Sequence, residues 1–574
     1  MTPTQQRRRG PLEQVSSLTT LTDAPCSVQS DLPPGLSATL LDSLAGIATH
    51  GPEAETATPT APYTGAPLAA LPNATPDAVT AAFDDARAAQ RAWATTPISD
   101  RARVMLRFHD LVLERQEEVL DLMQAENGKT RRDAFLEVAD IAITARYYAR
   151  SAAQQLRPRR RRGAIPFFTR ATELQHPKGV VTVISPWNYP LSMAAGDTIP
   201  ALMAGNTVVQ KPDTQTALSA LWALKLMREA GLPQDAWQMV VGPARQIGDT
   251  LLGEADYVMF TGSTASGRRI AAQTGQRLIG ASLELGGKNP MIVLEDADLE
   301  RTTEGAIGAC FASAGQLCVS AERIYVPEAL FEDFLSRFAA KTRQLVLGTA
   351  YDFSVDVGSL TNSKQLETVT AHIRDAVTKG AAVCAGGHAR PDVGPLFHEP
   401  TILTGVTADM TIHSQETFGP VVSVHPYRDV EDAIRLANDT PYGLNASVWG
   451  RRGARRVAAG IHAGTVNIND GYTAAWGSVD APMGGIGRLR TRPPPRQTRD
   501  PEVHRTADHL TAAPDRPHSP ARRRCTPVVA WNDDRAEDTP RGRHPMTTPT
   551  ARRDNHPGPA LDTGATVRNR KLTS

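Results

Sequence analysis

Between residues 36 and 487 the chain switches repeatedly between a helical and an extended hydrophobic rhythm. In TPDAVTAAFDDARAAQRAWA, which starts at Thr75, apolar residues recur three and four positions apart. That spacing predicts an amphipathic helix with Thr75 as its N-cap. The run Val180 to Ile184 is β-branched throughout and ends in a turn bounded by Pro186 and Pro190, which predicts a buried strand. The order repeats at Thr207 to Gln210, followed by Lys211-Pro212-Asp213-Thr214, and again at ADYVMFTGSTASG. Strand, loop and helix in series predict an α/β fold with a parallel, doubly wound sheet. Ligands of such sheets bind at the carboxyl ends of the strands.

The flanks have a different texture. Residues 1–35 are rich in Ser, Thr, Pro and Gln and are expected to form a disordered extension. Residues 488–574 are about one-third Arg plus Pro, almost without Lys and without apolar periodicity. Such a segment buries too little apolar surface to offset roughly 1–2 kcal/mol of chain entropy per ordered residue, so it is expected to be disordered. Within the periodic region, Arg157 and the run Arg159 to Arg162 read as a solvated loop or the edge of a hairpin, with a nucleic-acid patch as the alternative.

Charge and cysteine usage narrow the function. The 62 basic and 61 acidic side chains leave a net charge of +1, without the basic excess of a nucleic-acid binder. The five cysteines, Cys26, Cys310, Cys318, Cys384 and Cys525, are scattered and form no C-x-x-C pair. They predict neither a disulfide framework nor a metal site, and fit a reducing cytoplasm. Arg7, Arg8 and Arg9 are followed by no apolar stretch, so no signal peptide is expected. No apolar run reaches the roughly 18 residues of a membrane span.

Against that background a few short runs carry chemistry. Cys318, in Gly315-Gln316-Leu317-Cys318, is by itself more readily read as a small buried hydrophobe than as a nucleophile. Glu284 ends an apolar stretch and precedes Gly286 and Gly287, which permit close backbone approach. A cysteine adduct that must be released as an acid needs activated water, and a buried carboxylate suits that general-base task. Taken alone, Glu284 is more commonly a surface carboxylate. Asn188, between Pro186 and Pro190, is either a turn-capping residue or a donor aimed at a developing oxyanion. Lys211 ends a strand, within reach of a ribose or phosphate. Gly262 and Ser263 open a helix whose free N–H groups suit a pyrophosphate. Glu416, next but one to Phe418, pairs a carboxylate for ribose hydroxyls with a ring for a nicotinamide.

The ordered set PWNYP, KPD, FTGS, ELGGK, GQLC and ETFGP resembles the aldehyde dehydrogenase superfamily over about residues 36–487. The separation of Glu284 and Cys318 (318 − 284 = 34) also matches. Longer runs, such as LELGGKNPMIV and NDTPYGLNASVWG, are similar to actinobacterial succinate-semialdehyde dehydrogenases of the NADP-using type. The resemblance implies a Rossmann-type cofactor-binding domain (36–150 and 174–284), a bridging and oligomerisation hairpin (151–173) and an α/β catalytic domain (285–487). It implies Cys318 as nucleophile and Glu284 as general base, with the Asn188 amide and the Cys318 backbone N–H as oxyanion hole. It implies a cofactor site from Trp187, Asn188, Lys211, Pro212, Asp213, Thr214, Gly262, Ser263, Leu285, Glu416 and Phe418. Many NAD-preferring relatives carry a Glu where this chain has Thr214, which would repel a 2′-phosphate, so NADP is expected over NAD.

The chain also departs from the pattern. Positions where some succinate-semialdehyde dehydrogenases carry a carboxylate-binding Arg hold Gly196 and Ala312, and Ser320 replaces a second, redox-active Cys. A broad-specificity aldehyde dehydrogenase is therefore an alternative. So is a CoA-acylating enzyme, against which Glu284 speaks, and so is an inactive descendant. The similarity stops within Ala481 to Gly487. The abrupt change predicts that residues 488–574 are read out of frame. If that tail is genuine, the bridging sheet lacks the strand that normally completes it, which puts the family's homo-oligomer in question.

Overall fold

The computed structural model of the chain describes residues 32–485 apart from 34, 53, 166–169 and 482, together with two short strands near the C-terminus. Residues 533–574 group as a separate unit outside the described residues. The helix foreseen after Thr75 is α1 (Pro76–Thr95). The Thr75 hydroxyl accepts from the Ala78 N–H at 3.2 Å, and Pro76 opens the first turn. Its buried face is Ala78, Val79, Ala82, Phe83, Ala86 and Trp93, at helical spacing. Burying a side chain the size of Phe83 stabilises by about 1.5–3 kcal/mol. Helix α2 (Gln116–Asn127) ends at Gly128, whose φ of 82° is the left-handed geometry of a helix stop. Thr130 then caps α3 (Arg131–Gln155) through the Asp133 N–H.

The arginine run forms a hairpin edge. Strand β1 (Arg159–Arg162) pairs antiparallel with β2 (Arg170–Pro177), Arg159 opposite Glu173. The hairpin thus continues to Pro177, past the expected residue 173.

Five parallel strands follow: β3 (Val180–Ser185), β4 (Thr207–Pro212), β5 (Trp237–Met239), β6 (Tyr257–Thr261) and β7 (Gly280–Glu284). Their order in space is β5-β4-β3-β6-β7. Val180, Val181, Val183, Val208 and Val209 are buried, as their β-branched run requires. The chain leaves β3 to one side for β4 and β5, then returns to its other side for β6. That reversal opens a crevice at the carboxyl end of β3. Helices α4 (Pro190–Met203) and α5 (Thr264–Gln276) start at this edge.

The second sheet contains β8 (Asn289–Val293), β9 (Ala321–Pro327), β10 (Ala382–Ala385), β11 (Thr401–Thr404), β12 (Val421–Tyr427), β13 (Asn445–Trp449) and β14 (Thr465–Ile468). Their order is β10-β11-β12-β9-β8-β13-β14, parallel except for β10. Helix α6 (Leu299–Phe311) leads toward Cys318, and α7 (Ser363–Thr378) lies further along the chain. The fold is the α/β class expected.

The tail corrects one expectation. Strand β15 (His504–Ala507) pairs antiparallel with β2, so the bridging sheet has three strands, and β16 (Val528–Trp531) pairs parallel with β14. Unpaired backbone at the edges of β2 and β14 accepts any extended segment that reaches it, whatever its side chains. The rest of the tail after 485, and residues 1–31, lie outside the described residues, as does most of the disorder expected there.

Candidate active site

A cavity of about 500 Å3 lies where the carboxyl edge of the five-stranded sheet meets the Cys318 loop. Its wall holds Trp187, Asn188, Gly262, Ser263, Glu284, Leu285, Cys318, Glu416 and Phe418. Nine of the residues singled out in the sequence, 231 positions apart at the extremes (418 − 187 = 231), thus share one space.

The local backbone explains how Cys318 arrives there. Ser313, Ala314 and Gly315 are consecutive left-handed residues with φ of 49°, 53° and 71°. For the two non-glycines this costs on the order of 1–3 kcal/mol each, so the surroundings must hold it. The Ser313 N–H donates to Asp133 Oδ2 at 3.0 Å, and its hydroxyl to Tyr189 Oη at 3.0 Å. After the turn, Asn289 Nδ2 donates to the carbonyls of Cys318 and Ser320, both at 2.8 Å. The half-buried thiol is pushed up to about 12, first by burial and then by the negative charges of Glu284 and Glu416. The N–H groups of Cys318 and Val319 pull the other way.

Both glycines after Leu285 are required by close approach. A Cβ on Gly286 would lie 2.0 Å from Glu416 Oε2, and one on Gly287 would lie 2.7 Å from the Cys318 carbonyl oxygen. The Gly287 N–H donates to Glu416 Oε1 at 2.8 Å. Burial, with the charge of Glu322 next, pushes the Glu416 carboxyl up to about 8. Phe418, at φ 55°, stands edge-on to Trp187 with ring centres 5.5 Å apart. The Asn188 amide nitrogen donates to the Gln316 carbonyl at 3.0 Å. One N–H of that amide is thereby fixed on the loop that carries Cys318, and the second is set by the same plane.

Lys211, Pro212, Asp213 and Thr214 are not part of the cavity wall. They leave β4 on the same sheet edge as the Asn188 turn, Pro212 standing opposite Ser185. Lys211 is buried, its ammonium donates to the Pro212 carbonyl at 3.1 Å, and burial lowers its pKa. Asp213 accepts from the Gln215 N–H and starts a short helical turn.

The cavity also recruits residues that the sequence did not single out. Ser192, Met193, Gly196, Asp197 and Pro200 line it from one face of α4, at spacings of one and two helical turns. The Ser192 hydroxyl is buried there without a hydrogen-bond partner among the described residues. Asp140 and Trp476 meet it from 336 positions apart, the indole donating to Asp140 Oδ1 at 2.7 Å. Gln365 Nε2 donates to the carbonyls of Thr417 and Phe418 at 2.7 and 2.8 Å and steadies the Glu416 turn. Lys364 is the one cation on the wall among the described residues. The helical spacing on α4 was available beforehand. The Asp140–Trp476 approach had no local signal.

The chain as a whole is similar to known proteins. Residues 50–488 match the aldehyde dehydrogenase family. A protein from Mycobacterium tuberculosis with the provisional name of an NADP(+) succinate-semialdehyde dehydrogenase is 52% identical over 427 residues, 74% of this chain and 82% of that protein. The mitochondrial succinate-semialdehyde dehydrogenase of rice is 38% identical over 402 residues, 69% of this chain and 74% of that protein. Among solved structures, an NADP-dependent enzyme of E. coli superposes with a TM-score of 0.74 at 34% identity, over 78% of this chain and 92% of that one. Betaine aldehyde dehydrogenase from Staphylococcus aureus, solved with NAD+, gives 0.75 at 29% identity, over 80% of this chain and 94% of that one.

Proposed function

The chain belongs to the aldehyde dehydrogenase family, and on that premise we propose that it oxidises succinate semialdehyde, or a closely related aldehyde, to the acid with NADP(+) through a thioester on Cys318. The observation that carries the reading is the meeting of three groups in one cavity: the Cys318 thiol, the Glu284 carboxylate and the Asn188 amide.

A dinucleotide fits the residues present. Gly262 and Ser263 bring the N-terminus of α5 to the wall, where backbone N–H groups suit a pyrophosphate. Glu416, held by Gly287, faces the same space and would take ribose hydroxyls. Leu285, Trp187 and Phe418 would flank the nicotinamide. Lys211 to Thr214, along the edge beyond the wall, would meet the adenosine end, and Thr214 brings no charge against a 2′-phosphate. When bound, NADP(+) supplies the hydride acceptor.

The chain's own residues do the rest. The Cys318 thiol, protonated at neutral pH, gives its proton to Glu284, and the sulfur adds to the aldehyde carbon. The oxyanion so formed takes hydrogen bonds from the Asn188 amide and the Cys318 N–H, donors whose individual loss typically costs about 10²–10³ in rate. Its collapse expels hydride and leaves a thioester on Cys318. Once Glu284 has released that first proton to solvent, it takes a proton from water, the hydroxide adds to the thioester carbon, and the thiolate departs as the acid forms.

Succinate semialdehyde comes from the names of the relatives. A broad aldehyde range is the second reading, favoured by the α4 face. Gly196 and Asp197 stand there, Asp140 lines the same cavity, and among the described residues no cation on that face would pair with a substrate carboxylate. The test is NADPH formation with succinate semialdehyde and with butanal, its analogue without the carboxylate. A kcat/KM at least tenfold higher for succinate semialdehyde supports the first reading, equal values the second, and no NADPH with either overturns both. Among the described residues no helix is long and apolar enough to cross a membrane. With Cys310, Cys318 and Cys384 all free, we place the enzyme in the cytoplasm. Association of copies through the β1–β2 hairpin is the family expectation that we carry over.

A further inference from the structure

We propose that Lys129 is a positioning residue for the oxyanion donor: it grips the Pro186–Pro190 turn and so sets where the Asn188 amide points. The proposal rests on the thioester reading above. Lys129 follows the left-handed Gly128 in the short link between α2 and α3, and its side chain is fully buried. Its ammonium donates to the Asn188 carbonyl at 2.8 Å, lies 3.9 Å over the Tyr189 ring and pairs with Glu137. Glu137, also fully buried, accepts from the N–H groups of Leu191 and Ser192, both at 2.9 Å, in the first turn of α4. One ion pair therefore holds the turn at Asn188, Tyr189, Leu191 and Ser192.

The link that carries Lys129 is itself tied to the Cys318 loop. Asn127 Nδ2 donates to the Trp187 carbonyl at 2.8 Å, and the Asn127 carbonyl accepts from the Thr361 hydroxyl at 2.9 Å. The Thr361 N–H donates to Gln316 Oε1 at 3.1 Å, and the Gln316 carbonyl takes the Asn188 amide. These hydrogen bonds, with the backbone from Asn127 through Gly128, close a circuit from Lys129 through Asn188, Gln316, Thr361 and Asn127 back to Lys129. The Asn188 residue is thus held at its backbone by Lys129 and at its side chain by Gln316, which leaves its amide plane little freedom. A buried ion pair adds little net stability over a well-packed apolar pair, because desolvation opposes the Coulomb attraction. The placement of this one on an oxyanion donor points to orientation as its role.

The test is a double-variant cycle on acylation of Cys318, read without cofactor. p-Nitrophenyl acetate acylates the thiolate through the same kind of tetrahedral oxyanion and releases p-nitrophenolate, which is seen directly. Asn188→Ala is expected to slow this acylation about 10²–10³-fold. Lys129→Met is expected to slow it about tenfold or more in the parent and less than twofold in the Asn188→Ala background, with NADP(+) affinity by fluorescence unchanged. A purely structural lysine would slow both backgrounds alike, and that outcome overturns the proposal, as does a Lys129→Met rate equal to the parent. If Lys129→Met does not fold, Lys129→Met/Glu137→Gln, which removes both buried charges together, takes its place in the cycle. Failure of the thioester reading is separate: the parent would then show no acylation beyond that of Cys318→Ala.

Discussion

The paired glycines after Leu285 offer a perturbation that separates cofactor binding from sulfur chemistry. In Gly286→Ala the new methyl would lie 2.0 Å from Glu416 Oε2 and 2.7 Å from Glu416 Cδ. Those atoms end a flexible side chain, so the carboxylate moves and the backbone stays. Moving it breaks the 2.8 Å bond from the Gly287 N–H. A hydrogen bond to a charged group is worth about 1.5–3 kcal/mol, and cofactor binding must restore the carboxylate against the methyl. At 1.36 kcal/mol per tenfold, NADP(+) is expected to bind about 10- to 150-fold more weakly. In Gly287→Ala the methyl instead meets the Cys318 carbonyl oxygen at 2.7 Å, which is backbone and does not yield cheaply. Here acylation by p-nitrophenyl acetate should fall, by at least tenfold, because the sulfur's own peptide is displaced. The assays are NADP(+) titration by intrinsic fluorescence and the nitrophenolate burst without cofactor. A Gly286→Ala protein that binds NADP(+) within twofold of the parent refutes the role given to Glu416. Equal losses in both assays for both variants refute the division of labour.

Cys318→Ala should abolish aldehyde oxidation with NADP(+) affinity retained, and oxidation near the parent rate would refute the covalent route. Glu284→Gln should give one burst of NADPH per active site without steady turnover if thioester hydrolysis needs that carboxylate, whereas normal turnover would exclude it. Alkylation of cofactor-free protein by iodoacetamide should rise about tenfold per pH unit from pH 6 to 9.5. The thiolate is the reactive form, and a thiol pushed up to about 12 stays protonated throughout that range. A plateau below pH 9 contradicts it. Thr214→Glu should lower kcat/KM with NADP(+) by about tenfold or more relative to NAD+, through like-charge repulsion of the 2′-phosphate. An unchanged ratio would place cofactor choice elsewhere.

Much of the site was legible because its pieces are short and local. The Thr75 cap, the β-branched run of β3 and the Ser263 start of α5 each depend on neighbours within a few positions. Residues at the carboxyl ends of parallel strands converge by topology, so the sequence alone pairs Asn188, Gly262 and Glu284 with Cys318. The α4 wall was harder to see. Ser192, Gly196 and Asp197 share a face at helical spacing, but which face turns to the cavity depends on packing against α3. Trp476 and Asp140 gave no signal at all, since nothing in either neighbourhood encodes a partner 336 positions away.

By itself the sequence determined the order of strands and helices and the chemical types at the site, because hydrophobic period and turn residues act over a few positions. Tertiary structure alone decided three things. It put Lys211 to Thr214 on the sheet edge beyond the cavity wall, because β4 leaves the sheet beside the crevice and Lys211 folds back on Pro212. It gave the bridging sheet a third strand at His504–Ala507, because an open strand edge pairs through backbone and not through side-chain pattern. It also set the protonation of Cys318 and Glu416, because burial and the charges that surround them come from segments that only the fold assembles.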